Sequence, residues 1–291
     1  MCSPPATFLR ARFGLSLRED DEPTPERIPV AMDGLAKWEI GNRTLRLLIK
    51  GESEIDIAAA ETARGDLPPG AIGKGILDKI REEAGKVAAR FAAVKSGDPR
   101  QVNVSLDLPG PVRLVGALAD VFEDGIVRAT YSKSKPRDAL RLWPEVLALA
   151  AARPDRRWSA CMLTQDGGVR LMAPPAEHAL RILTELVDLY RAGIVSPLPL
   201  PAATAYEYAK ARSEDSDPAE SLYIANRWAW EGQYGDAAQG EVVRLWGADQ
   251  PIEVLLDEKP RPDENWFDEI TRFGMLSRRL WEPILQVREK P

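Results

Sequence analysis

The most constraining stretch runs from residue 76 to residue 108. Ile76, Leu77, Ile80, Ala84, Val87, Ala88 and Phe91 recur at helical spacing, which gathers them into one apolar stripe. Ser96-Gly97-Asp98-Pro99 stops that helix. Val102, Val104, Leu106 and Leu108 then alternate with Asn103, Ser105 and Asp107, the period of a half-buried strand. Helix and strand in succession are the start of the α/β domain to which this chain is assigned.

The flanking sequence extends the pattern. Before the stripe, Leu35, Trp38, Leu45 and Leu48 predict one or two helices, and a further helix over 55–63 stops at Gly65. After the strand, 111–121 reads as a second strand, Glu123-Asp124-Gly125 as a hairpin turn, and 126–133 as a third strand. A helix follows from Pro136 to Arg153, with a kink expected at Pro144. Next come a hairpin over 159–172 and a helix from Pro174 to Gly193. The remainder reads as helical over 202–212, 218–231 and 263–286, anchored by Trp228, Trp230, Trp266, Phe267 and Trp281. Residues 1–32 form an apolar arm (Phe8, Leu9, Phe13, Leu15) and an acidic, proline-bearing linker, and residues 33–291 form one domain whose core spans about 72–165. The arm is a candidate interface, because it has little to bury against nearby; the alternative is that it folds back onto the domain.

Composition removes several chemistries. One histidine and two cysteines in 291 residues leave no Cys/His zinc site and no disulfide framework, so the expected compartment is the reducing cytoplasm. A Ser-His-Asp triad has only His178 to draw on, and that residue reads as a surface side chain. The longest apolar run, Val146 to Ala152, is seven residues, far short of the ~20 a membrane helix needs, and Arg18-Glu19-Asp20-Asp21-Glu22 stands where a signal peptide needs an apolar segment. No phosphate-binding Gly-x-x-x-x-Gly-Lys-Ser/Thr loop occurs, and no cofactor is expected. A net charge of −6 argues against whole-surface nucleic-acid binding but leaves room for a local basic groove.

The order helix, strand, strand, strand, helix, strand over 72–165 resembles the core of PD-(D/E)XK nucleases. In active members two carboxylates hold Mg²⁺ and a lysine supports the attacking water. Gly116-Ala117-Leu118-Ala119-Asp120, Asp124-Gly125 and Ala129-Thr130-Tyr131-Ser132-Lys133 stand where a similar helicase-associated nuclease reads Gly-x-Ile-Asp, Asp-Gly and Asp-Tyr-Lys. That alignment puts Ala119, Thr130 and Ser132 at the catalytic positions, and no histidine occurs in residues 72–95. On a strand, Thr130 and Ser132 would share one face and Tyr131 and Lys133 the other, so a one-residue shift does not restore acid-x-Lys.

Further segments carry a closer resemblance: Phe8 to Leu15, Phe122 to Gly125 with Val127-Arg128, Arg137 to Trp143, and Pro197-Leu198-Pro199-Leu200. Through them the chain resembles the C-terminal domain of the gamma (RecC) subunits of exodeoxyribonuclease V, with Pro144 a departure from the pattern. The resemblance implies a nuclease-like fold with a mixed sheet flanked by helices and a C-terminal helical region, without nuclease activity. It implies a scaffold in a RecBCD-type helicase-nuclease, with RecB-like and RecD-like partners, linear DNA ends met through the assembled complex, and no membrane. The helicase-like remainder of such a subunit is absent from these residues, so the chain reads as an excised fragment or a short gene product. Two alternatives stay open: a Mg²⁺-dependent nuclease using Asp120, Glu123 or Asp124 with Lys133, and a pure subunit-interaction domain.

Arg128, Lys133, Lys135, Arg137 and Arg141 face a single acid, Asp138, in this stretch, and are candidate DNA contacts; the alternative is a solvated strand end and helix start. Arg153, Arg156 and Arg157 beside Trp158 suit base stacking less well than a helix end capped by cations.

Overall fold

The structure, a computed structural model, describes residues 32–232, 234–262, 264, 267–289 and 291. Phe8, Leu9, Phe13, Leu15 and Trp266 lie outside the described residues.

Helix α1 (Gly34–Ile49) starts where the extended Asp33 accepts the Ala36 N–H at 2.7 Å. Helix α2 (Glu54–Arg64) ends on Gly65 at φ 79°, the expected left-handed stop. Helix α3 (Gly70–Val94) carries the apolar stripe, and Leu77, Ile80, Ala84, Val87 and Phe91 are all buried against α1 and the sheet. Strands β1 (Arg100–Leu108), β2 (Val112–Val121) and β3 (Gly125–Ala129), helix α4 (Pro136–Ala152) and strand β4 (Ser159–Thr164) follow, the expected core order. After them come β5 (Gly167–Met172), α5 (Ala176–Val195), α6 (Ala202–Ser213), α7 (Pro218–Ala225) running into a π-helical turn over Asn226–Trp230, α8 (Gly240–Trp246), α9 (Arg272–Leu285) and β6 (Arg288–Glu289).

The six strands lie in the order β1-β2-β3-β4-β5-β6; β3 and β4 are parallel and every other pair is antiparallel. Alternation sorts the two faces: Val127, Cys161 and Leu163 pack toward α1 and α3, while Ile126, Ala160 and Met162 pack toward α4. Helix α4 is buried over most of its length because it lies between the sheet and α5, and it runs continuously through Pro144. The parallel pair approaches closely at Gly125, where a Cβ would stand 1.9 Å from the Ser159 carbonyl oxygen.

Two expected elements are shorter than read. Strand β3 ends at Ala129, so Thr130 to Lys133 are not on a strand and the two-face argument does not apply to them. The Tyr131 N–H is taken by Asn42 Oδ1 of α1 at 3.0 Å, and its ring is buried against α1 and α3. The last helix begins at Arg272, not near 263, because Glu264 and Glu269 turn inward to bond Arg272, Arg212 and Tyr208, and Thr271 caps the helix by accepting the Gly274 N–H.

Candidate functional site

The residues aligned with nuclease chemistry gather at the ends of β2 and β3. At the end of β2, Ala119 and Asp120 together oppose Gln101 of β1, a β-bulge in which Asp120 adopts φ 57°. Asp120 accepts from Arg128 Nε at 3.0 Å. The two terminal nitrogens of Arg128 clamp Glu145 of α4 at 2.9 and 2.7 Å. Arg128 thus bridges two carboxylates within the domain, an occupation its sequence context did not disclose. Asp124 accepts the Ser96 hydroxyl at 2.7 Å. Among the described residues no group of three or more His, Cys, Asp or Glu side chains is arranged to hold a metal ion.

Beyond Ala129 the chain keeps beside β4 without forming a strand: the Thr130 N–H donates to the Leu163 carbonyl, and the Ser132 carbonyl accepts from the Gln165 N–H. Between them the Tyr131 hydroxyl donates to Glu83 of α3, which Lys37 of α1 also approaches. Burial, with the neighbouring carboxylate, pushes the Tyr131 phenol far above its ordinary value, so it remains a proton donor at any physiological pH. Asp166 accepts the Thr164 hydroxyl at 2.7 Å and the Ser134 N–H at 2.8 Å. Burial works against its charge, but these bonds and nearby Lys133 hold it below the usual aspartate value.

Lys133, Lys135, Arg137 and Arg141 are exposed and form no direct ion pair among the described residues; Lys133 favours the charge of nearby Asp166, and Lys135, Arg137 and Arg141 present free charge along the entry to α4. The Lys135 and Asp138 backbones bracket that entry: the Asp138 carboxylate accepts the Lys135 N–H at 2.9 Å. Arg156 does not cap the end of α4: it donates to the Glu123 carbonyl at 3.1 Å, pairs with Asp155 and lies 5.3 Å from the Trp158 ring. Trp158 is buried and its indole N–H donates to the Arg153 carbonyl. His178 is exposed on α5, Trp230 is core, and Trp228 is 72% exposed.

Sequence reasoning missed a groove of about 490 Å³ between α1 and the end of β3, walled by Trp38, Asn42 and Arg46 on one side and Ala129 and Thr130 on the other. The available signal was the four-residue spacing of Trp38, Asn42 and Arg46, which aligns them on one stripe of a helix.

The fold defines a class: an α/β domain with a six-stranded mixed sheet flanked by helices. The family model described as the RecC C-terminal domain matches residues 1–213, and the chain belongs to that family. It is 38% identical over 97% of its length to "RecBCD enzyme subunit RecC" of Mycobacterium tuberculosis (strain CDC 1551 / Oshkosh), of which it covers 26%. It is 35% identical over 99% of its length to the subunit of that name from Mycolicibacterium smegmatis, again covering 26%. The Escherichia coli K12 subunit is 26% identical over 89% of this chain, which spans 24% of it. The chain therefore corresponds to about a quarter of the length of the curated relatives it matches. No helix among the described residues is long and apolar enough to cross a membrane.

Proposed function

We propose that this chain is a catalytically inactive, nuclease-like domain that scaffolds and guides DNA within a cytoplasmic RecBCD-type helicase-nuclease acting in recombinational repair of double-strand breaks. Its partners on this reading are RecB-like and RecD-like subunits, and linear DNA ends reach it through the assembled complex. The observation that carries the reading is the pairing of Asp120, the acid nearest the aligned position Ala119, with Arg128 at 3.0 Å, where a nuclease needs a free acid for Mg²⁺. Thr130 and Ser132 put hydroxyls rather than carboxylates at the other two aligned positions. Lys133, Lys135, Arg137 and Arg141 supply the exposed positive charge that phosphates require.

Incubating the chain with end-labelled linear DNA at low salt, with and without Mg²⁺, tests both halves. Salt-sensitive retention without cleavage is the expected result. Mg²⁺-dependent cutting that disappears in Asp120→Asn would overturn it. Co-purification with RecB-like and RecD-like subunits tests the scaffold. For that contact the exposed Trp228, with Arg227 5.8 Å from its ring, has the side-chain chemistry that interface centres favour.

A further inference from the structure

We propose that the groove between α1 and the end of β3 holds an unpaired nucleotide of single-stranded DNA, its base stacked on Trp38 and its phosphate on Arg46. This rests on the DNA-guiding reading and specifies the strand that is held. Trp38, Asn42 and Arg46 line the groove on successive turns of α1, so an aromatic face, an amide and a cation stand in a row. Each has capacity to spare. Trp38 is 39% exposed although the core of α1 lies on another face. Asn42 accepts from the Tyr131 N–H through Oδ1, which leaves its NH₂ group available to a base edge. Arg46 bonds only the Asn42 carbonyl, at 3.3 Å through Nε, and forms no ion pair among the described residues.

The charge pattern fits a phosphate strand. Arg43, beside Arg46, is held by Glu61 and Asp66, so Arg46 is the unsatisfied cation of the groove wall and Glu39 its lone carboxylate. Thr130 closes the opposite wall as a neutral hydroxyl residue, and the exposed Lys133 and Lys135 follow along the chain. An apolar peptide would leave these polar groups unpaired, at a cost a nucleotide avoids. A duplex buries its base faces within the stack, so a tryptophan set into a groove reaches only a base that has left it.

The test uses the 291-residue chain, a labelled oligothymidylate of about 12 nucleotides and a blunt hairpin duplex. Trp38→Ala is expected to weaken the oligothymidylate roughly tenfold while leaving the hairpin within about twofold, with Trp38→Phe retaining most of the affinity. Arg46→Gln lowers the salt dependence of oligothymidylate binding, and 5-iodouracil photocrosslinks map to α1. Should Trp38→Ala lose its thermal transition, Trp38→Phe and Arg46→Gln carry the comparison. Unchanged oligothymidylate binding in the folded variants, with hairpin binding intact, removes the groove and leaves the guide. Failure of the parent chain to bind either probe removes both.

Discussion

Gly41 and Tyr131 share one space: a Cβ on Gly41 would lie 2.0 Å from Cδ1 of the tyrosine ring. Helix α1 therefore sits directly on the chain leaving β3, with no room for a methyl group between them. Gly41→Ala is expected to destabilise the domain by about 1–3 kcal/mol, since the ring must leave a packed site. A lowered urea midpoint with an unchanged slope checks this. An unaltered midpoint would mean that α1 does not clamp Tyr131.

Arg128 holds Glu145 in a two-pronged pair whose side chains are 25% and 29% exposed. Replacing it with glutamine strands a half-buried carboxylate and is expected to cost about 1–2 kcal/mol. Glu145→Gln in the same background should recover part of the loss, giving a coupling energy above about 0.5 kcal/mol in a double-mutant cycle. Strict additivity would show that the pair is only a surface arrangement.

Acid sensitivity should trace to the segment before α9. Burial drives the Glu264 carboxyl upward, but two bonds from Arg272, each 2.9 Å, reverse this and hold it below its ordinary value. With the folded value depressed, the unfolded chain takes up the proton first. The contribution to stability is thus complete above about pH 4.3 and is lost as the pH falls through the folded value. Urea midpoints measured across that window should fall with acidification, and Glu264→Gln should flatten the fall.

The buried Cys161 thiol should be silent in the native protein. Burial raises its pKa, and it lies within the layer of β4 beneath α3. In a Cys2→Ser background, thiol titration at mildly alkaline pH is expected to proceed only at the rate of unfolding and to become immediate in urea. Rapid native labelling would show that α3 lifts readily from the sheet.

Reversing the charge at Lys133 and Lys135 removes two candidate phosphate contacts. The slope of log affinity for duplex DNA against log salt should then shrink by about 1.8. An equal slope in the variant would place the phosphate contacts elsewhere on the domain.

The elements with internal periodicity were readable without coordinates: the α3 stripe, the β1 alternation, the Gly65 stop and the core order all lie where the residues put them. What escaped depends on partners distant in the chain. Residues 130–133 have strand-like composition, yet Asn42, 89 residues earlier, takes the Tyr131 N–H. Residues 263–271 look helical, yet two of their carboxylates are claimed by arginines that periodicity cannot pair. The same limit applies to the candidate site. A local count of charges finds a basic stretch, but only the folded chain separates Arg128, which is held in ion pairs, from the exposed Lys135, Arg137 and Arg141, which form none among the described residues.

Every strand of the sheet lies beside the one that precedes it in the chain, and only the β3–β4 junction is parallel. Such an arrangement needs mostly short loop closures, which favours rapid folding. During synthesis β1 to β5 can join at one growing edge in the order the ribosome releases them, whereas β6 can add to β5 only after the whole helical region from α5 to α9 has emerged.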